Sequence, residues 1–183
     1  MTRRRLSPEE RRGELLAAAE ELLLDGEELS LDRVAERAAC SRNLAYNYFS
    51  NLDALRESLR ERQVARLANA VVERIPRPAP VREWMAAWVS LVLDEAAARG
   101  PLLLALYEQR AVGPQGRAVA LGTVAGIESK LVGDGLVEAP RARVLARVLS
   151  GVLFSGAVAL VVDGCERSSV EAEVWKAVDA LLP

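Results

Sequence analysis

Between residues 41 and 48 the chain sets a hydroxyl, a guanidinium, two carboxamides and two phenols close together: Ser41, Arg42, Asn43, Tyr46, Asn47 and Tyr48. These are donors, acceptors and stacking groups, not the nucleophile-and-base sets of hydrolytic chemistry. Arginine can make paired hydrogen bonds to the edge of guanine and asparagine to that of adenine, while a tyrosine hydroxyl more often meets a phosphate. The chemistry they suggest is the reading of double-stranded DNA. Tyr46 has a second reading, in which its ring packs against the first helix. Upstream, Arg3, Arg4 and Arg5 stand in an eight-residue stretch with no carboxylate. They form either a flexible arm that reaches phosphates or a minor groove, or a solubilising tail.

Groups of this kind need a short rigid element to present them, and the flanking residues supply one. Ser30 offers a hydroxyl N-cap to a helix over Leu31–Ala38, with Val34, Ala35 and Ala38 on one apolar face. Ala39 and Cys40 make a turn, and Ser41 caps a second helix through Tyr48. Two short helices joined this way form a helix-turn-helix, whose second helix lies in the major groove. Ahead of it a helix is expected over Pro8–Asp25, burying Leu15, Leu16, Ala19, Leu22 and Leu23, turning Glu20 and Glu21 outward and ending at Gly26. Behind it Ser50 or Asn51 caps a long helix over Leu52–Ile75, with Asp53 in its first turn and Arg56, Arg60, Arg62 and Arg66 forming a solvated face in preference to a second DNA site.

With Leu15-Leu16, Ala18-Ala19 and Leu22-Leu23, then Val34-Ala35, Ala39-Cys40-Ser41, Tyr46, Tyr48-Phe49, Asp53 and Leu55, residues 11–55 resemble the TetR family of transcriptional regulators. That family's pattern is a helix ending Ile-Ala, a Gly-Val-Ser turn, a helix with Tyr and His-Phe, then Lys-Glu and Leu. Departures stand out at five positions, and the loop around Asp25 to Leu29 is a residue or two short. Ala39 occupies the turn-glycine position, where a positive φ would cost alanine about 1 kcal/mol. Tyr48 replaces the histidine, and Leu52 replaces a lysine that touches the phosphate backbone in relatives. Asn43 and Leu44 replace smaller or hydroxyl residues, so no relative's operator sequence carries over. The resemblance implies an all-α protein, with a three-helix helix-turn-helix DNA-binding domain over 1–51 and a helical effector-binding and dimerisation domain over 52–183. The Leu52–Ile75 helix would be the mechanical link between them.

Pro76, Pro78 and Pro80 form the clearest break in the chain. Beyond them the sequence predicts helices over Val81–Arg99, stopped by Gly100-Pro101, over Leu102–Arg110, and over Ala118–Val132, ended by Gly133-Asp134-Gly135. The resemblance implies an effector cavity here, and Trp84, Trp88, Leu103, Leu104, Tyr107, Glu108 and Phe154 are able to line it. Aromatic residues are otherwise scarce, and such a lining suits an apolar ligand with few polar groups. Each of these residues could equally be ordinary core. The last two helices, Pro140–Val162 and Ser169–Leu182, either bury their apolar surface within their own domain or meet a two-fold mate. The resemblance favours a homodimer through these two helices, on a palindromic operator, with release triggered by a small-molecule effector.

Composition sets bounds on the alternatives. The chain has no histidine, which removes imidazole as a base or metal ligand, and Cys40 and Cys165 stand far apart with no CxxC pair. No cofactor or metal is expected, and no enzymatic activity. The net charge is −2, yet Arg37 and Arg42 lie in a stretch, Arg37 to Leu52, with no carboxylate, so a cationic surface can coexist with an acidic total. The uncharged run Val148–Val162 is too short to cross a bilayer comfortably, and the basic N-terminus is not followed by an apolar signal segment. A cytoplasmic protein without membrane association is expected. The rival reading is a helical small-molecule or lipid carrier, or an enzyme, using the Trp-lined cavity.

Overall fold

Helix formation starts at a reciprocal cap that the sequence spells as Ser7-x-x-Glu10. The Ser7 hydroxyl accepts from the Glu10 backbone N–H at 3.1 Å and the Glu10 carboxylate accepts from the Ser7 N–H at 2.8 Å. The structure, a computed structural model, describes residues 6–107 and 114–182, with side chains outside 103–121. Its helices are α1 (Pro8–Leu24), α2 (Leu31–Arg37), α3 (Arg42–Tyr48), α4 (Leu52–Arg74), α5 (Val81–Tyr107), α6 (Pro114–Gly133), α7 (Ala139–Val161) and α8 (Arg167–Leu181). The described residues contain no strand, so the fold is all-α.

The chain divides into two compact units, the first holding residues 6–63 and 101–107 and the second 64–100 and 114–182. The expected division at residues 51 and 52 coincides with the start of α4, whereas the first unit extends through Gln63. The core of the first unit joins Leu15, Ala19 and Leu22 of α1, Val34 and Ala35 of α2, Ala45 and Phe49 around α3, Leu55 and Leu59 of α4, and Leu102. Polar locks surround that core. Glu20, expected to face outward, is buried, and it accepts from Gln63 Nε2 at 2.8 Å and pairs with Arg62 at 3.0 Å. Both partners meet Oε1, and they offset the cost of holding a carboxylate there. Arg12 lies over the Phe49 ring at 5.3 Å and donates to Ser58 Oγ at 2.6 Å, tying the exit of α3 to α1 and α4.

Three helices end in the same way. At α1, Gly26 N–H reaches Leu23 O and Glu27 N–H reaches Leu22 O; at α6, Gly135 and Leu136 repeat this onto Val132 and Leu131. At α2, Ala39 N–H reaches Glu36 O at 3.0 Å and Cys40 N–H reaches Ala35 O at 2.9 Å. These are Schellman closures, which need a left-handed residue just after the helix. Glycine fills that place twice, at φ 70° and 69°, but α2 uses Ala39 at φ 50°.

In the second unit α5, α6, α7 and α8 surround a core that includes Trp84, Met85, Trp88, Ile127, Leu131, Ala146, Leu149, Val174 and Val178. Gly100-Pro101 does not stop α5, which continues through Pro101 to Tyr107. The expected separate helix from Leu102 is therefore its continuation, and the part beyond Tyr107 lies outside the described residues. Two packing observations explain the outcome. Gly100 lets α5 approach α7 so closely that a β-carbon there would stand 2.5 Å from Val161 Cγ1, and Leu102 is fully buried. Tertiary packing thus overrides the local cost of proline. Gly156 plays the same part between α7 and α8, where a β-carbon would meet Val174 Cγ2 at 2.7 Å. The start of α6 also moves, from the expected Ala118 to Pro114, in keeping with the preference of proline for a first helical turn.

Charged pairs stitch these helices together. Asp94 on α5 accepts from Arg74 at the end of α4 and pairs with Arg167 at the start of α8, 2.6 Å away. The Arg74 hydrogen bond, opposed by partial burial and helped by Arg167, holds the Asp94 carboxyl below its ordinary pKa. Arg82 makes a two-pronged pair with Asp179 at 2.6 and 3.1 Å and lies over the Trp175 ring at 5.4 Å. α7 has 23 residues and a window of mean hydropathy 2.1, so by length and composition alone the helix, unlike the shorter uncharged run inside it, could cross a membrane.

Candidate DNA-reading face and effector core

Ser41 builds the reading element before it offers any contact of its own. Its Oγ accepts from Leu44 N–H at 3.2 Å and so caps α3, leaving the hydroxyl proton to be donated elsewhere. On the seven-residue helix the residues separate cleanly. Ala45 is buried, Tyr48 is half-buried against the first core, and Arg42, Asn43, Tyr46 and Asn47 are exposed. A spacing of four aligns Arg42 with Tyr46 and Asn43 with Asn47, giving two adjacent columns on one face. Tyr46 is 51% exposed.

The charge arrangement differs from the expectation. Arg37 does not join the reading face: it pairs with Asp25 at 3.0 Å, Glu27 at 2.9 Å and Glu21 at 3.7 Å. The Asp25 hydrogen bond, opposed by desolvation and helped by the charges of Glu27, Asp25 and Glu21, raises its pKa. The fold brings these acids to Arg37 from the end of α1 and the α1–α2 connection, ten or more residues back along the chain. Arg42 remains, 75% exposed at its side chain and with Nη1 3.4 Å from Asp32 Oδ2. Leu52, expected from the resemblance to stand in place of a phosphate-contacting lysine, packs against the first core. Arg3, Arg4 and Arg5 lie outside the described residues.

The candidate effector residues separate too. Trp84 and Trp88 are each 6% exposed, and their rings meet at 5.6 Å between centroids with planes tilted by 53°. Gly126 on α6 faces Trp84, with 3.9 Å between the place of a β-carbon and the ring. The Trp88 indole Nε1–H is buried and has no hydrogen-bond acceptor among the described residues. Phe154 does not join this pair. It is 70% exposed on α7, because the buried stripe Ala142, Ala146, Leu149, Leu153 and Gly156 runs along another side of that helix. The side chains of Leu103, Leu104 and Tyr107, and all of Glu108, lie outside the described residues.

No known family profile and no curated protein matches the chain. Solved structures do. A TetR-family transcriptional regulator from Streptomyces coelicolor is 25% identical, with a TM-score of 0.77 over 96% of this chain and 82% of that one. A TetR-like transcriptional regulator from Rhodococcus sp. RHA1 is 19% identical, with a TM-score of 0.71 over 96% of this chain and 99% of that one. NalD of Pseudomonas aeruginosa, the secondary repressor of the MexAB-OprM multidrug efflux pump, is 18% identical, with a TM-score of 0.65 over 95% and 96%.

Proposed function

We infer that this chain, whose fold is that of TetR-like transcriptional regulators, is itself a DNA-binding regulator of that kind. The observation that carries this reading is the pair of exposed columns on α3, where Arg42, Asn43, Tyr46 and Asn47 present hydrogen-bonding groups to solvent. In the finer reading the protein is a cytoplasmic homodimeric repressor. Two α3 helices read the half-sites of a palindromic operator, the Arg3–Arg5 arms add phosphate or minor-groove contacts, and an effector bound in the second unit releases the DNA by favouring a DNA-incompetent population. Ser41 contributes a phosphate contact through its free proton, and Tyr48 contributes only through its exposed edge.

The dimer reading is supported by α7. Opposite its buried stripe it exposes Val144, Val148, Gly151, Ser155 and Val162, an apolar and small-residue seam suited to a two-fold mate. α8 commits Val170, Val174 and Val178 to its own core, so it contributes mainly a polar border. The carrier or enzyme alternative is not favoured, since the similar solved structures described above are those of regulators.

The decisive experiment is fluorescence anisotropy of the full chain on DNA taken from upstream of its own coding region, followed by genome-wide site selection, across a salt series with scrambled competitor. Specific binding, with two protomers per site and an affinity that falls with salt, is expected. Failure to select any sequence from the genome would overturn the regulator reading.

A further inference from the structure

The Trp84–Trp88 pair carries a feature that an apolar filling would not need. Tryptophan in a core ordinarily aims its N–H at an acceptor, because an indole N–H removed from water and left unpaired costs about 1–3 kcal/mol. Phenylalanine would supply a ring at position 88 without that cost. Trp88 instead keeps its Nε1–H buried with no acceptor among the described residues, one helical turn from Trp84 and within the core formed by α5, α6, α7 and α8. On α6, Gly126 comes to the Trp84 ring with no side chain of its own, a β-carbon there standing 3.9 Å from the ring.

Resting on the reading of the second unit as an effector domain, we propose that the effector is not a plain hydrocarbon but an apolar molecule with one hydrogen-bond acceptor, a carbonyl, ether or carboxylate oxygen. That oxygen accepts from Trp88 Nε1–H while the apolar body lies against the tryptophan rings. The two parts have different effects. Contact with the rings adds affinity for many apolar molecules, whereas the single donor discriminates among them. A ligand without an acceptor leaves the N–H unpaired, and one with an acceptor that finds no donor is penalised for losing its own hydration.

The test compares two compounds of nearly the same shape, 2-acetylnaphthalene and 2-ethylnaphthalene, binding to the full-length protein, read by calorimetry and by the 1H–15N indole resonances. Phe variants of the three tryptophans assign those resonances. The wild type should bind the ketone at least about tenfold more tightly than the alkyl compound, with a downfield shift confined to the Trp88 indole proton. Trp88→Phe, which keeps an aromatic ring, should reverse the order, and Trp84→Phe should keep it. Equal binding of the two compounds by the wild type, or a preference for the alkyl one, overturns the proposal while leaving an effector site in place. Binding of neither compound removes the effector site itself, and the proposal with it. The wild-type comparison stands even if a variant fails to fold.

Discussion

Ala39 is the residue whose replacement should improve the protein. It closes α2 at φ 50°, in a Schellman turn that Gly26 and Gly135 make at φ 70° and 69° elsewhere in the same chain. An L-residue held in the left-handed region costs about 1–2 kcal/mol, while glycine there is free of that strain but loses about 0.4–1 kcal/mol through the greater entropy of its unfolded chain. The balance predicts that Ala39→Gly stabilises by about 0.5–1 kcal/mol, or about 1–4 °C in thermal midpoint for a chain of this size. The reciprocal change, Gly26→Ala, meets no steric obstacle, since no atom lies within 4 Å of a β-carbon built there, so its expected loss of about 1 kcal/mol isolates the backbone term. Urea unfolding of both variants followed by circular dichroism is the assay, with an unchanged m-value required for the comparison. A less stable Ala39→Gly, or a neutral Gly26→Ala, would refute the reasoning. So would an m-value change large enough to account for either shift.

Replacing Arg42 and Asn47 with alanine should weaken operator binding by about 1–3 kcal/mol for each base no longer read, with the thermal midpoint unchanged; full affinity would move the reading surface away from α3. Gly156→Ala places a β-carbon against Val174 and should cost about 1–3 kcal/mol of stability, whereas Gly151→Leu, at a position where a β-carbon meets nothing within 4 Å, should leave the fold intact and disturb the dimer. Sedimentation showing an unaltered dimer for Gly151→Leu would take the interface off α7. Asp94 has a lowered folded-state pKa, so its stabilising contribution is present above the ordinary carboxylate value near about 4 and is lost as the pH falls through the lower folded value. Because its side chain is about a third exposed, the difference in stability between the wild type and Asp94→Asn should be at most about 1 kcal/mol at pH 7. Melts at pH 7 and at about pH 2.5 should show that difference closing, and one that persists in acid would contradict the linkage.

The helices that cap themselves locally were legible in the residues alone. Ser30, Ser41 and Asn51 each accept the backbone N–H three residues on, and Gly26 closes α1, because caps depend on neighbours within one turn. Elements decided by distant packing were not. Gly100-Pro101 reads as a stop until Val161 is seen against Gly100, and Arg37 reads as a free cation until the fold returns Glu21, Asp25 and Glu27 to it. Phe154 misled for a related reason: aromatic scarcity suggested a pocket, but helical phase gave the inward position to Leu153. The exposed columns of α3 were readable because a seven-residue helix with one buried alanine leaves its polar side chains few places to go.

The inclusion of 101–107 in the first unit bears on how the protein is made. Leu102 is fully buried in that core, although it is synthesised almost forty residues after Gln63. A nascent chain that has emerged only as far as α4 holds the whole reading helix but lacks this plug, and by analogy with core Leu→Ala changes the gap withholds about 2–5 kcal/mol. On a growing chain the first unit is therefore complete only once much of α5 has followed it. An isolated fragment ending at residue 63 would remain in that immature state, and grafting this unit onto another protein would require carrying two pieces of chain in place of one.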